Sequence, residues 1–462
     1  MNFNESRSQE LSYLEPLRKK DPSQFDNPTL VENAEFLRKF GIHIPNKESF
    51  AQGLIKYYPQ DFIVEEIRPD DTICTITREN LAHDTIFPSS QIFHATLVKC
   101  NLSTLEAIDE LAHILGCQKT QIGYSGIKDK DAITSQRISL KDVSVEKLKQ
   151  AHSPHFFIKD IVASDTLIKK GILKGNKFSI YVRTEEAFFD QNHSALFIEN
   201  LTQIKEKGFY NFYYLQRFGA PRYNNSEVGL DILKGNYESA VKRILAQKSD
   251  YENRFMTSIR QEIYNKWGDW TTIEKILAPL PVMFKDELFM IRYFIKKQDW
   301  RATLQQVLDK VGIISYSVAS LFFNEYISMR IAENLPIPNE LPLLFSNDTR
   351  DIDVYKEFLM ALELYPLSFK NVQYFSTVRL QKRLVSTVDH PTIINSSVTD
   401  HGVLLSFTLG KGEYATTFLA HLFNLISGTP PSFINKDTVD VKALLADTPA
   451  QNTIDHFTPV IQ

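Results

Sequence analysis

Apolar and polar residues alternate with a period of two in the segment FHATLVKC (93–100), which predicts a β-strand. Directly after it, Ser103 and Glu106 have the spacing of a capping box, and apolar residues at helical spacing continue to Gly116. A glycine at that position is typical of a helix end. The segment therefore predicts a strand followed by an amphipathic helix.

Two more strands are predicted beyond this helix, at 121–124 and 132–140, the second again with a period of two. The charged stretch GIKDKDAITSQ (126–136) begins between them. We therefore expect this stretch to start on a tight turn at the edge of an antiparallel sheet.

A similar order of elements recurs further along the chain. A strand is predicted from Lys177, a helix from about Ser194 to Lys207, and a returning strand over FYNFYYLQRFG (209–219). Another strand is predicted after Pro59. Two such halves side by side predict an α+β fold, with a broad mixed or antiparallel sheet and helices on one face.

After Gly219 the alternating strand patterns give way to long amphipathic helical patterns, and strand patterns resume at 401–423. The simplest interpretation is a sheet domain interrupted by a helical insertion. We predict an N-terminal extension packed on the main domain (1–48), a discontinuous sheet domain (49–220 and 376–430), a helical insertion domain (221–375) and a C-terminal tail (431–462).

The composition is that of an ordinary globular protein, with 43% hydrophobic and 23% charged residues and a net charge of −4. No apolar run reaches the length of a membrane span, and the first residues lack the apolar core of a signal peptide. We therefore expect a soluble cytoplasmic protein without a membrane partner, with a monomer favoured.

Signals for a metal or a nucleotide cofactor are weak. Cys74, Cys100 and Cys117 lack the spacing of a zinc site or a disulfide framework, and His152 and His155 lack partners at metal-ligand spacing. Neither GxGxxG nor the Walker spacing occurs. We therefore predict no metal site and no cofactor.

The net charge argues mildly against a nucleic-acid partner, but one stretch is locally basic. Residues 166–184 (TLIKKGILKGNKFSIYVRT) contain no acidic residue, and their cations are Lys169, Lys170, Lys174, Lys177 and Arg183. Such a run fits either a solvated strand face or a rim that meets phosphates.

Asp129 is the strongest candidate for chemistry, because it lies between Lys128 and Lys130 on the predicted turn. An aspartate is ionised at neutral pH, and a nearby ammonium favours that form further. Such a group suits a nucleophile or a base that must stay charged, with its lysine neighbours pointing away or along a rim toward phosphates. A hairpin turn with solvated charges is the structural alternative.

The segment NFYYLQRFG (211–219) places Asn211, Gln216 and Arg217 among aromatic residues. This mixture can stack a base, hydrogen-bond its edge and hold a phosphate. A half-buried strand explains the same residues equally well.

Five motifs, in the order PQDFIVEE, GYSGIKDKDAITSQ, LKGNKF, NFYYLQRFG and LGKGEYATTFL, resemble those of the TruD family of tRNA pseudouridine synthases over roughly residues 50–425. The resemblance implies a pseudouridine synthase fold with a family-specific insertion, and tRNA as the partner. It implies an isomerisation in which uracil is detached from its ribose, turned and rejoined through carbon five, without metal or cofactor. The implied target is position thirteen of the D arm.

The resemblance also implies roles for individual residues. Asp129 in the G-x-K-D motif would be the nucleophile, and Lys56 would sit beside it and keep it ionised. Asn211 matches the asparagine of the family's NYFG-x-QRFG motif, and Tyr213 stands where phenylalanine usually stacks on the target base. Tyr214 replaces the usual glycine and should add bulk near the pocket. The other predicted substrate-binding residues are Lys128, Lys130, Gln136, Lys177, Gln216 and Arg217.

Two other classes of function remain open at this point. One is a catalytically idle RNA-binding or RNA-folding protein that keeps the fold, which the presence of both Asp129 and Lys56 disfavours. The other is a small-molecule hydrolase that uses Asp129, which lacks a second carboxylate or histidine spaced to act as its acid.

Overall fold

The computed structural model describes residues 3–78, 91–185, 191–367 and 369–461. Internal contacts divide the chain into two units. We call them the sheet unit (Ser49–Phe209, Asp389–Ile426 and Pro430–Gln462) and the helical unit (Met1–Glu48, Tyr210–Val388 and Ser427–Thr429).

The secondary structure of the described residues mixes short strands with helices of up to 25 residues. In chain order, the strands are β1 (Leu30–Val31), β2 (Gln52–Leu54), β3 (Phe62–Ile67), β4 (Ile92–Cys100), β5 (Ile122–Tyr124), β6 (Ile133–Lys141), β7 (His152–Ser153), β8 (Phe156–Ser164), β9 (Gly175–Thr184), β10 (Phe209–Tyr210), β11 (Glu340–Pro342), β12 (Leu384–Ser386), β13 (Val388–Asp389), β14 (Thr392–Thr399), β15 (Gly402–Gly410) and β16 (Asn424–Ser427). The helices are α1 (Phe3–Lys20), α2 (Ala34–Arg38), α3 (Thr104–Leu115), α4 (Val145–Gln150), α5 (Gln191–Lys207), α6 (Asn225–Lys234), α7 (Tyr237–Ala246), α8 (Arg254–Asn265), α9 (Trp270–Leu277), α10 (Lys285–Lys297), α11 (Trp300–Leu304), α12 (Leu308–Ala332), α13 (Thr349–Asp353), α14 (Lys356–Ala361), α15 (Ala415–Ala420), α16 (Val441–Leu444) and α17 (Gln451–Ile461).

The sheet unit is built on one broad mixed sheet, in which β16, β2, β9, β3, β6, β4, β8 and β7 follow one another. The long strand β9 pairs antiparallel with β3 and with β15, while β3 and β6 run parallel. Among the described strands, β5 pairs with β6 alone, so the turn between them lies at the end of a short added strand. The predicted α+β fold with a broad mixed sheet is confirmed.

The alternation along β4 places its side chains in two different hydrophobic clusters. Phe93, Ala95 and Leu97 pack in a cluster with α3 and α4, whereas Val98 and Cys100 pack in one with α16 and α17. Successive strand residues point to opposite faces, so the two clusters cover the two sides of the sheet. The helix after β4 has the predicted capping box, in which Ser103 and Glu106 each accept from the other's backbone N–H, and Gly116 ends it with a left-handed backbone.

The helical unit has its own apolar core. Residues of α12 such as Val311, Val318 and Phe322 lie at its centre, together with apolar residues of α6 to α10. The segment Trp300–Ala332 is long and apolar enough to cross a membrane by length and composition alone, but 61% of its apolar window is buried inside the protein. Its side chains therefore form the core of this unit.

Both ends of the chain differ from the predicted extension and tail. Residues up to Glu48 group with the helical unit, where the Glu10 carboxylate accepts from the backbone N–H groups of Val282 and Met283. Residues from Pro430 group with the sheet unit, where the buried Lys442 ammonium pairs with both oxygens of Glu65, at 2.8 and 2.9 Å. Sequence patterns missed both because such pairings join residues hundreds of positions apart.

Candidate active site

The charged turn after β5 is held by hydrogen bonds from two neighbouring elements. The Gln136 side chain on β6 donates to the Gly126 carbonyl (3.0 Å), and its amide oxygen accepts from the Thr104 hydroxyl (3.0 Å). The same hydroxyl accepts from the backbone N–H of Lys128 (2.9 Å). The turn is therefore tied to the first residue of α3 and to the core strand β6.

Asp129 and Lys56 meet at this turn. The Lys56 ammonium lies 2.7 Å from Asp129 Oδ1, and the Asp129 side chain is 34% exposed. Within the described residues, its second oxygen, Oδ2, has no hydrogen-bond donor. The carboxylate is thus anchored on one side and open on the other, which is the geometry that an attacking oxygen requires.

Lys56 is itself tightly constrained. Its ammonium lies 4.3 Å from the centre of the Phe62 ring, and its backbone is left-handed, with φ 60°. A non-glycine residue in that conformation costs about 1–3 kcal/mol and persists only where the surrounding structure holds it. The fold therefore holds this ammonium in one place beside the carboxylate.

Lys99, at the end of β4, is a neighbour that the sequence analysis missed. Its buried ammonium donates to the carbonyls of Asp129 (2.6 Å) and Leu102 (2.7 Å). Burial lowers the pKa of Lys99 to about 8, and the Asp129 carboxylate partly offsets this effect. The one available signal was a lysine inside an apolar strand, FHATLVKC.

The lysines that flank Asp129 do not share a rim, and the prediction for Lys128 requires correction. The Lys128 side chain is buried, with its ammonium 2.9 Å from Glu66 and 2.6 Å from the Asn176 side-chain oxygen. Ser125 also donates to Glu66 (2.8 Å), so Lys128 belongs to a buried polar network under the turn. Lys130 is exposed, 3.5 Å from Glu106.

Fewer cations of the basic stretch 166–184 are free to meet phosphates than the sequence predicts. Arg183 is wholly buried in a two-pronged pair with Asp61 (2.7 and 2.8 Å), and Lys177 pairs with Asp447 at 2.6 Å. Lys174 pairs with Asp71. Lys169 and Lys170 remain exposed and, in the described ranges, have no acidic partner.

Asn211, Tyr213, Gln216 and Arg217 all belong to the helical unit, and the strand predicted for their segment was wrong. Only Phe209–Tyr210 is a strand, and a 3₁₀ helix follows at Leu215–Phe218. The reason is that the backbone N–H of Asn211 donates to the Thr387 carbonyl and that of Tyr213 to the Asn324 side chain, each at 2.9 Å.

The side chains of this segment have distinct surroundings. The Asn211 amide donates to the Ser386 carbonyl (3.1 Å), and the Arg217 guanidinium lies 5.3 Å from the centre of the half-buried Tyr213 ring. Gln216 is exposed. The pair of Arg217 and Tyr213 supplies a cation and an aromatic face together, as a nucleotide requires.

Tyr214 does not add bulk to an open pocket. Its ring is buried and its hydroxyl donates to the Glu32 carboxylate. Burial raises the pKa of Glu32 to about 7 and lowers that of the neighbouring Lys47, also to about 7. The Tyr214 ring, which replaces the family's usual glycine, therefore lies in the interior of the helical unit.

No group of three or more potential metal ligands occurs among the described residues. The chemistry available near Asp129 is that of a carboxylate and the ammonium groups of Lys56 and Lys99.

Comparisons with known proteins agree with the motifs. A family model described as tRNA pseudouridine synthase D (TruD) matches residues 46–343. A protein of Methanococcus maripaludis (strain C5) named "Probable tRNA pseudouridine synthase D" is 31% identical over 382 residues, which cover 79% of this chain and 93% of that protein. A Methanocaldococcus jannaschii protein named "Probable tRNA pseudouridine synthase D 1" is 28% identical over 388 residues, 80% of this chain and 95% of the relative.

A solved structure shares the fold. The crystal structure of the putative tRNA pseudouridine synthase D from Methanosarcina mazei matches 85% of this chain and 98% of its own, with a TM-score of 0.63 and 20% identity. At this identity the likeness speaks for the fold alone. The family model and the similarity along nearly the whole M. maripaludis protein carry the assignment: this chain is an enzyme of the tRNA pseudouridine synthase D (TruD) family of isomerases.

Proposed function

We propose that this enzyme converts uridine to pseudouridine in tRNA, at position thirteen of the D arm, with Asp129 as the nucleophile and without a cofactor. The observation that carries the proposal is the partly exposed Asp129 carboxylate, paired on one oxygen with Lys56 at 2.7 Å. Family membership supports the reaction, and the tRNA substrate comes from the names of the relatives.

The reaction needs a group that is ionised without help. In one route the Asp129 carboxylate attacks carbon one of the ribose, the bond to ring nitrogen one breaks, and uracil leaves with the electron pair. The base turns, carbon five forms the new bond to the ribose carbon, and the carboxylate leaves. Carbon five then loses its proton while nitrogen one gains one, so no atom is lost. In a second route the carboxylate first adds to carbon six of the ring.

Each neighbour of Asp129 has a proposed part in these steps. Lys56 aims the carboxylate, because it is a positioned cation bound to one of its oxygens. Lys99 fixes the backbone of the attacking residue through its carbonyl. Both act on the nucleophile rather than on the base.

The target nucleotide must leave its stack before Asp129 can reach it, which costs a few kcal/mol. Contacts to the RNA would offset this cost, and we keep Asn211, Tyr213, Gln216 and Arg217 as proposed base and phosphate contacts. Lys130 and Lys177 remain proposed RNA contacts, and Lys177 would have to leave Asp447 to serve as one. For Lys128 and Gln136, whose polar groups are already bonded inside the protein, we propose a positioning role instead.

The test is to incubate unmodified tRNA transcripts with the purified protein, its Asp129→Asn form and an Asp131→Asn control, and to map pseudouridine by carbodiimide-stop sequencing. Asp131 is an exposed aspartate two residues away on the same turn, so it controls for charge loss. We expect a D-arm signal with the native and control proteins only.

Other outcomes of this test are equally informative. Pseudouridine at another position would keep the chemistry and change the target. Bound RNA without any pseudouridine would favour the idle RNA-binding protein, and full activity of Asp129→Asn would remove Asp129 from the mechanism.

A further inference from the structure

A large open groove lies in the helical unit, and its lining includes none of the candidate site residues. It has a volume of about 1030 Å³ and is formed by the start of α7, the end of α10 and the start of α11. Its charged side chains are Lys242, Lys297, Arg301, Glu238 and Asp299.

The three cations of this groove are not neutralised by the protein. Across the described residues, Lys242, Lys297 and Arg301 have neither an ion pair nor a hydrogen-bond acceptor. Lys242 lies 5.4 Å from the Trp267 ring centre, and Arg301 lies 4.2 Å from that of Tyr374. Aromatic faces hold Lys242 and Arg301 in position while leaving their charge and N–H donors available.

The two acids of the groove, in contrast, are engaged by donors of the protein. Glu238 accepts from the indole N–H of Trp267 (3.3 Å), and Asp299 caps the start of α11 by accepting from the backbone N–H of Ala302 (3.0 Å). The side chain of Asn236, which precedes α7, caps no backbone N–H of that helix. With three cations and two carboxylates, the groove has a net positive charge, which favours an anion.

The aromatic residues beside the groove form a rigid support. Trp300 stacks on Phe294 with ring centres 3.5 Å apart, and its ring is nearly parallel to that of Trp267 at 5.8 Å. Trp270 contacts both indoles edge-on. These are the three tryptophans of the entire chain, so its tryptophan fluorescence reports on this location.

We propose that this groove is a second RNA-contacting site, which binds the phosphodiester backbone of the substrate through Lys242, Lys297 and Arg301. The proposal rests on the proposed function, because it takes RNA as the substrate. Phosphate contacts come mainly from lysine and arginine, and a guanidinium can engage one phosphate with two N–H groups. The openness of the groove and its volume of about 1030 Å³ suit a strand better than a single ion.

The test compares RNA binding by two charge-reversed proteins. One carries Lys297→Glu and Arg301→Glu, and the control carries Lys248→Glu and Lys275→Glu, which reverse exposed lysines of the same unit outside the groove. We expect the groove variant to raise the Kd for a tRNA transcript at least tenfold and to reduce the slope of log K against log salt by about two. The control should stay within about threefold of the native protein, by the weaker long-range effect of charge.

Tryptophan emission of the native protein provides a second measurement that needs no variant. Titration with the transcript should change the emission with the same Kd as direct binding, and the groove variant should lose this change. Emission that stays constant while RNA binds, or equal weakening by both variants, would overturn the proposed site.

Pseudouridine mapping on the same samples separates this proposal from the proposed function. Normal modification with unchanged emission and unchanged Kd in the groove variant would refute the groove alone. An emission change with the expected Kd shift, but no pseudouridine, would support the groove and refute the reaction. A native protein that binds no RNA would refute both.

Discussion

Lys56 and Asp129 are 73 residues apart in the chain, yet their charged groups lie 2.7 Å from each other. Lys56 follows the short strand β2, and Asp129 lies on the turn after β5. The ion pair is partly shielded from solvent, since the Lys56 side chain is only 18% exposed and that of Asp129 is 34% exposed. The pair is therefore an organised part of the fold rather than a chance surface contact.

Replacing Lys56 by methionine should lower the rate of pseudouridine formation roughly 10- to 100-fold, which corresponds to about 1.4–2.7 kcal/mol in the barrier. Methionine keeps the length of the side chain over Phe62 but removes the charge that holds the carboxylate. Single-turnover kinetics with saturating enzyme would measure this, with Lys149→Met, at an exposed lysine of the same unit that has no proposed role, as the matched control. An unchanged rate with a raised Kd would mean that Lys56 binds RNA instead.

Activity should fall as the pH rises through about 8, because Lys99 loses its charge beneath Asp129 in that range. Its pKa is lowered by burial, so the side chain is an ammonium below pH 8 and a neutral amine above it, and the neutral amine no longer balances the negative charge of the nearby Asp129 carboxylate. Lys99→Arg should move the fall to higher pH, because a guanidinium stays charged. A pH–rate profile of both proteins checks this, and identical profiles would exclude Lys99 as its source.

The titration of Lys99 should affect folding stability in the opposite direction. In the unfolded chain the lysine stays protonated up to its ordinary pKa of 10.5, whereas in the folded chain it releases its proton near 8. The unfolded state then binds more protons between these values, so the Lys99 contribution to the free energy of unfolding rises with pH there. Lys99→Met should flatten this rise in urea titrations at pH 7.5 and 9.5, and an unaltered pH dependence would contradict it.

Gln136→Leu should lower the rate without changing the Kd for RNA more than about twofold. The side chain is fully buried and bonds to Gly126 and Thr104, so its loss loosens the turn and costs about 1–3 kcal/mol of folding stability. Binding assays beside single-turnover rates distinguish this from direct substrate contact. A large rise in Kd with normal thermal stability would restore Gln136 to the substrate-binding set.

Tyr214→Phe should destabilise the protein by about 1–3 kcal/mol, and more at pH 8 than at pH 5. The hydroxyl donates to Glu32, whose pKa is raised to about 7, so the carboxylate that needs the donor is charged only above that value. Urea unfolding at both pH values measures this, and Tyr213→Phe, on the adjacent and less buried tyrosine, is the control. Equal losses at the two pH values would contradict the assigned pair.

Local patterns predicted those parts of the fold that depend on neighbouring residues. The capping box at Ser103, the stop at Gly116 and the strands around the charged turn all follow from short-range rules and were found as expected. The segment 209–219 was misread because its backbone bonds to Thr387 and Asn324, whose positions no local pattern reveals.

The sequence predicted which residues form the candidate site but not where their side chains point. The turn aspartate and its distant lysine were named from motifs, whereas the burial of Lys128 depends on Glu66, and the role of Lys99 depends on a carbonyl 30 residues away. A charged residue in a short run reads as solvated unless its buried partner is known. The basic stretch has fewer free cations than predicted for the same reason, since Arg183 and Lys177 pair with acids far along the chain.

The pairing of β9 with β15 has a consequence for how the enzyme is made. Strand β9 ends at Thr184 and its partner begins at Gly402, so more than 200 residues must leave the ribosome between them. The turn that carries Asp129 is synthesised early, but the sheet that supports it stays incomplete until almost the whole chain has emerged. Since domains generally fold as units during synthesis, a ribosome stalled within the helical unit would carry a nascent chain that includes Asp129 but not the strand that completes its sheet.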